Sequence, residues 1–397
     1  MKKTILFVDD DPLLLEVYPL MLDEVADRWE IDCAEGGAIA LGKLAVKKFD
    51  VVVSDMRMPN MTGIQLMNEV RRMYPETSRI IISGLGDQEE IARSLETTHQ
   101  FLSKPVKAKE LVATISRIGK LDTLLLDDNL KALAGRLSSL PSFPSIYLQI
   151  TKELNSTDPS IETIADLTLK DPALTAKMLQ VVNSTAFGLP ERIHDPVAAF
   201  QQLGMNTIRS LVLSSHVFAN LKSSSLTNFS ADSLWSHLMK CGHSARAIMR
   251  AEDADLMDVE DAFTAGILHD MGKLMLADSL PDEFQKALAL AAERQIPLFQ
   301  AEMEIFGATH AGLAAYLLGL WGLPAPIVEA VAFHHTPEKS TNPHFSPLTA
   351  VHVANGLEHE LAGENFNVDH DYLAKIGVAN RLDEWRSEVE KSSEAKT

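Results

Sequence analysis

The sequence predicts two fold classes in one chain: a doubly wound α/β domain built on a five-stranded parallel sheet, then an all-helical domain. Three observations predict this. Residues 1–120 alternate short apolar runs with amphipathic stretches of helical length, the pattern of a parallel sheet covered by helices on both faces. No convincing strand follows residue 137, where amphipathic helical segments succeed one another. At 397 residues the chain also exceeds what a single hydrophobic core ordinarily serves.

The strands are expected at "TILFVD", "IDCAE", "DVVVSD", "RIIIS" and "QFLSK". In such sheets the ligand site lies at the carboxyl ends of the strands, where the acidic residues fall. Asp9, Asp10 and Asp11 close the first strand, and Asp55 closes the third within "VVVSDMRMPNMTG". Carboxylates on neighbouring strand ends repel one another unless a hard, oxygen-preferring cation neutralises them, and magnesium suits that role. A carboxylate beside such a cation can take a phosphoryl group covalently. Lys104, ending the fifth strand in "FLSKP", offers a point charge to phosphoryl oxygens, and Ser83, ending the fourth in "IIISG", offers a hydroxyl donor. Any one of these residues alone reads as a cap. Together, in order at one sheet edge, they read as a site.

From "KPVKAKEL" to "KALAGRL" a helical pattern runs past the end of this domain, with Leu111, Ile115, Ile118, Leu125, Leu130, Leu133 and Leu137 at helical spacing but in no strict heptad. It is either a rigid signalling helix, with a homodimer seam as one form, or an ordinary helix packing on its own domain. "SSLPSFPS" breaks the pattern. Beyond it, "DPSIETIADLTL" and "DPALTAKMLQVVNS" each place Asp before Pro, which suits the cap and first turn of a helix. The boundaries expected are therefore 1–120, a helical linker over 121–137, a helical domain over 138–385 and a charged, frayed tail over 386–397. No internal repeat is recognisable.

Composition excludes several function classes. Hydrophobic residues make up 46% and charged residues 23%, and no apolar run approaches the roughly 20 residues of a membrane helix. The acidic triplet at 9–11 interrupts the apolar run at the N-terminus before a signal-peptide core forms; a cytoplasmic protein without membrane insertion is expected. Cys33 and Cys241 lie far apart, which favours free thiols. Of the net charge of −19, residues 1–120 contribute 16 Lys+Arg against 19 Asp+Glu and the remainder 20 against 36. That balance argues against a nucleic-acid partner.

Residues 3–120 resemble the receiver domain of two-component response regulators, a flavodoxin-like fold. The match lies in Asp9 and Asp10, Asp55 in "DMRMPNMTG", Ser83, and Lys104 before Pro105; Phe101 stands where that family has its aromatic switch residue. The resemblance implies a sensor histidine kinase that phosphorylates Asp55, with magnesium held by Asp9, Asp10 and Asp55, and with Ser83, Phe101 and Lys104 as the switch.

Residues 137–360 resemble the HDOD family, a branch of the HD phosphohydrolase superfamily found as a signalling output. "LKDPALTAKML", "NSTAFG", "AAFQQLGMNTIRSLVL", "LWSH", "AGILHDMGKLML", "THAGLAAYLLGLWGLP" and "AFHHTPE" carry the match in order. HD enzymes ligate a transition metal with a His, an adjacent His-Asp pair and a final Asp. The resemblance places His237 as the first ligand, His269 and Asp270 as the pair, and His310, His334 and His335 where two-metal relatives keep extra ligands. The helix that should present the closing Asp offers Asn355 instead, with His352 one turn earlier as a compensating ligand. The Gly-Tyr-Pro signature of cyclic-di-GMP hydrolases is replaced by "HHTPEKSTNP". Whether the chain is an enzyme stays open on these residues, the degenerate site leaning against it. A response regulator acting through an unknown downstream signalling protein is expected first, a metal-dependent phosphohydrolase of a nucleotide or cyclic dinucleotide second. A DNA-binding regulator would need a basic recognition helix that is not found.

Overall fold

In a computed structural model of the chain, the five apolar runs form β1 (Lys3–Asp9), β2 (Trp29–Glu35), β3 (Val51–Asp55), β4 (Ser78–Ser83) and β5 (Gln100–Ser103). The structure describes residues 2–25, 27–84, 90, 91, 94, 97–125, 128–137, 149, 150, 153, 154, 156, 158–182, 197–202, 208, 226–363 and 368–394. All pairings are parallel, in the order β2-β1-β3-β4-β5. β3 and β4 are buried at every residue, as strands covered on both faces must be. Between the strands run α1 (Pro12–Met21), α2 (Gly37–Val46) and α3 (Gly63–Met73). The segment expected to form a helix between β4 and β5 lies mostly outside the described residues. Val8 pairs with Ser54, so Asp9 and Asp55 leave neighbouring strands at one level.

Among the described residues the helical run past β5 comprises α4 (Ala108–Leu125) and α5 (Asp128–Arg136). After it, every regular element among the described residues is helical. They are α6 (Ile161–Leu169), α7 (Pro172–Val182), α8 (Ala231–Ala251), α9 (Leu256–Leu268), α10 (Met271–Ser279), α11 (Pro281–Arg294), α12 (Leu298–Phe306), α13 (His310–Leu320), α14 (Ala325–Phe333), α15 (Pro347–Leu361), α16 (His370–Lys375) and α17 (Leu382–Glu394), with short 3₁₀ turns between some of them. α13 is buried along nearly its whole length, and α9 from Val259 to Leu268 except Glu260. Helices apolar on all sides belong at the centre of such a domain.

Two local expectations need correction. Asp171 caps α7 as expected, its carboxylate accepting from the Leu174 amide at 3.1 Å. For α6, however, the cap is Ser160, whose hydroxyl accepts from Thr163, and the helix starts two residues after Asp158-Pro159. The charged 386–397 tail does not fray at its start: α17 continues to Glu394. Trp385 and Val389, four residues apart on one face, are buried, and the Trp385 indole donates to Glu252 at 2.8 Å.

The receiver and the helical domain touch through α13. Leu121 of α4 lies over Gly319, where a Cβ atom would come within 2.3 Å of the leucine Cδ2. Any side chain larger than glycine's there displaces Leu121. The Gln100 side-chain amide of β5 donates to the Leu320 carbonyl at 2.7 Å and its oxygen accepts from Arg117 of α4. Substituting Gly319→Leu should cost about 1–3 kcal/mol, the usual range for overpacking, and should raise amide exchange in β5 and the C-terminal turn of α13. Hydrogen exchange and thermal unfolding check this; unchanged exchange at both places would contradict it.

Candidate functional site

At the sheet edge, Asp9, Asp10 and Asp55 bring three carboxylate oxygens within 4.8 Å of one another. Asp9 and Asp55 are buried and Asp10 is exposed. Asp9 is held by the Tyr18 hydroxyl and the Asp11 amide, each at 3.0 Å. The Lys104 ammonium stands 2.5 Å from Asp55 Oδ1 and 4.0 Å from Asp9 Oδ2. The Arg57 amide donates to Asp55 Oδ2 at 3.1 Å. Burial pushes the Asp55 carboxyl above its ordinary range, and the adjacent Lys104 offsets only part of that rise. Ser83 and Phe101 are buried on β4 and β5, the Ser83 hydroxyl 3.5 Å from the Leu102 carbonyl. Oxygen donors alone, two of them buried, fit a hard cation such as magnesium.

The second site forms where α9 meets α10, at "HD". Asp270 occupies the N-cap position of α10 but makes no capping hydrogen bond, so it is not there to cap the turn. Its carboxylate, buried, takes the Lys273 ammonium at 2.5 Å on Oδ2. On Oδ1 it faces His310 Nε2 at 2.9 Å and His334 Nε2 at 3.5 Å. Lys273 and the neighbouring rings hold the carboxyl well below the usual range although burial opposes this. α10 approaches α13 closely enough to present His310 because residue 272 is glycine; a Cβ there would lie 2.1 Å from the His310 carbonyl oxygen.

The imidazoles are oriented from behind. His269 Nδ1 donates to the Gly266 carbonyl at 2.6 Å and His334 Nδ1 to the Val331 carbonyl at 2.8 Å. A carbonyl can only accept, so these nitrogens carry the ring protons. Burial lowers the pKa of both rings, so they are neutral and their Nε2 atoms present lone pairs. Among the described residues neither Nε2 has a hydrogen-bond partner. His335 Nε2 lies 3.1 Å from His310 Nε2. Asp270, His310, His334 and His335 thus offer ligand atoms within 4.8 Å of one another. Buried imidazole lone pairs facing a carboxylate fit a transition cation.

The structure groups the expected ligands differently from the sequence reading. His237 does not join Asp270. It stands with His269 and Cys241 in a second group, its Nε2 2.9 Å from Asn355 Oδ1 and 3.4 Å from Cys241 Sγ. Asn355, in place of a carboxylate, fills that nitrogen's hydrogen bond instead of leaving it for a cation. His352 does not compensate: its Nδ1 donates to the His334 carbonyl at 2.7 Å and its Nε2 accepts from the Asp369 amide at 2.8 Å. Both nitrogens are used, and the ring pins His334 instead.

Two residues escaped the sequence reading. Cys241 lies one turn after His237 on α8, a spacing that brings side chains together. Glu302, fully buried on α12, accepts from the His310 ring at 2.6 Å. Its only sequence signal is a carboxylate eight residues before a candidate ligand. The His310 pKa is raised although burial opposes it, because Glu302 and Asp270 flank the ring.

The α/β fold with an acidic edge and the helical fold with a His-Asp cluster define a receiver-like module joined to an HD-like module. The response regulator receiver domain family matches residues 5–116, and the HDOD domain family matches residues 140–337. The chain is a response regulator built from a receiver domain followed by an HDOD domain. An uncharacterized protein of Treponema pallidum is 27% identical over 233 residues, 59% of this chain and 45% of that protein. The transcriptional regulatory protein GlrR of Escherichia coli is 36% identical over 112 residues, 28% of this chain and 25% of that protein. The chain therefore covers less than half the length of either relative. Among solved structures, the MmoQ response regulator of Methylococcus capsulatus is 24% identical with a TM-score of 0.46, covering 62% of this chain and 97% of that one. An HDOD domain protein of Geobacter sulfurreducens is 22% identical with a TM-score of 0.40, covering 68% and 98%.

The histidines make stability depend on pH. Burial lowers the pKa of both His237 and His352 to about 4, whereas an unfolded histidine titrates near 6.5. Between those values the unfolded chain binds more protons than the folded one, so stability falls as pH falls across that window. Each ring contributes on the order of 3 kcal/mol at the full shift. Urea unfolding of the helical domain should shift to lower midpoints between neutral pH and about pH 5; a flat profile would contradict it.

Proposed function

We propose that this response regulator receives a phosphoryl group at Asp55 from a sensor histidine kinase and passes its state to the HDOD domain through direct contact with α13. In the transfer, an Asp55 oxygen forms the new P–O bond as the P–N bond of the kinase's phosphohistidine breaks. Lys104 faces the developing charge, and Asp9, Asp10 and Asp55 would hold magnesium. That cation would neutralise the phosphoryl oxygens when bound. Ser83 and Phe101 move toward the phosphoryl group. The observation that carries the coupling is Gln100: it precedes Phe101 on β5 and grips the last carbonyl of α13, while the first residue of α13 is His310. One rigid helix thus links the receiver's switch strand to the HD cluster. The HDOD domain then acts on a downstream signalling protein, whose access to the helical surface changes with the position of α13.

The converging Nε2 atoms favour a second reading, in which the cluster holds a transition metal and hydrolyses a phosphoester of a nucleotide. Asp270, His310, His334 and His335 would hold the cation, which would supply an activated water. Lys273 would face a substrate phosphate, and His269, without its own charge, would order the cluster.

Acetyl phosphate should alter amide exchange of β5 and α13 in the wild type and leave Asp55→Ala unchanged; equal responses in both would overturn the coupling. For the second reading, the protein purified after growth with iron, manganese and zinc should carry near-stoichiometric metal by elemental mass spectrometry. His334→Ala should lose it. A metal-free wild type would restrict the output to protein partners.

A further inference from the structure

Glu302 has no part in the reading above, yet it is fully buried, and among the described residues both of its hydrogen-bond donors belong to His310. Its Oε2 accepts the His310 main-chain N–H at 2.8 Å and the ring Nδ1–H at 2.6 Å, while Oε1 has no partner. A carboxylate so enclosed is unfavourable unless paired and hydrogen-bonded, and among the described residues that pairing falls on His310. Its position is set on two sides. α12 carries it, and Gly307, at φ +69° against Asn129 of α5, turns the chain so that His310 opens the next helix directly over it. His269 and His334 are backed by neutral main-chain carbonyls, the Gly266 and Val331 oxygens. His310 is backed by an anion.

We propose that Glu302 is a positioning residue that fixes the Nδ1–H form of His310 and strengthens its Nε2 as a donor to a divalent transition cation shared with Asp270, His334 and His335. The proposal rests on the metal reading of the cluster. A carboxylate behind a ligating imidazole locks the ring's orientation and raises its basicity, and removing such a partner typically weakens metal binding about 10- to 100-fold. It also supplies a second negative charge, since the Lys273 ammonium already pairs with Asp270. The cation would then sit on the His310 side of the cluster, away from the His237 nitrogen that Asn355 occupies.

The test uses the full chain, stripped of metal and titrated with Co²⁺ against a competing chelator. Glu302→Gln keeps the shape and a hydrogen-bond acceptor but removes the charge. It should bind Co²⁺ about 10- to 100-fold more weakly than wild type and shift the visible absorption of the bound ion. In a His310→Ala background the same substitution should add no further loss, because no ring remains to orient. Binding by Glu302→Gln within about twofold of wild type, or a full additional loss in the His310→Ala background, would overturn the role of Glu302. A wild type that takes up no Co²⁺ would overturn the metal reading itself, and does so before any variant is made. Should Glu302→Gln fail to fold when metal-free, nitrogen NMR of the zinc-loaded wild type decides, with the His310 signals assigned by comparison with His310→Ala. A protonated Nδ1 and metal on Nε2 is expected; metal on Nδ1 would overturn the proposal.

Discussion

The buried carboxylate of Asp270 is the constraint around which the helical domain is arranged. An ion removed from water inside a helical core costs several kcal/mol unless compensated, and here the Lys273 ammonium compensates it while three imidazoles close around it. Lys273 reaches back from the first turn of α10, His269 precedes it in sequence, and His310 and His334 arrive from the ends of α13 and α14. Satisfying one charge therefore draws together the termini of several helices, where main-chain groups are already free to orient side chains. Gly272 is the steric condition for that convergence, because α10 and α13 meet there.

The two acidic sites of this chain show how surroundings divide one residue type into two behaviours. Asp55 and Asp270 are both buried and both pair with a lysine at 2.5 Å. Burial prevails at Asp55, where Asp9 adds a like charge, and its carboxyl is pushed up. At Asp270 the lysine is joined by polar imidazoles and the carboxyl is pushed down. The same residue type thus gives a strand-end carboxyl that holds its proton more tightly in one domain and an anchored anion in the other. α13 joins the two domains mechanically: its C-terminal carbonyl is held by the sheet of the receiver and its N-terminal residue belongs to the cluster.

Much of the fold and part of the sites were legible in the chain. The strands are apolar runs ended by acids, and in a parallel sheet strand ends share one edge whatever the details of packing. The His269-Asp270 pair is adjacent in sequence, so its proximity needed no tertiary information. The grouping of ligands was not legible. That His237 stands with Cys241 and Asn355, while Asp270 faces His310, His334 and His335, depends on how four helices cross. His352 looked available as a ligand, but Asp369, 17 residues later, supplies the amide that fills its second nitrogen. The start of α6 and the end of α17 were missed for smaller reasons. Ser160 competes with Asp158 as a cap, and the charged tail conceals Trp385 and Val389 on one face.

By itself the sequence determined the class of each domain, the gathering of acids, a lysine and a hydroxyl at one sheet edge, and the presence of an HD-like set of imidazoles. These follow from short-range periodicity and from residue types placed at element ends. Only the tertiary structure decided which nitrogens keep free lone pairs, which carboxylate backs which ring, and which helix touches the receiver. Hydrogen bonds to Gly266, Val331 and Glu302 and the glycine contact at residue 319 join segments through three-dimensional packing, and linear spacing carries no record of that.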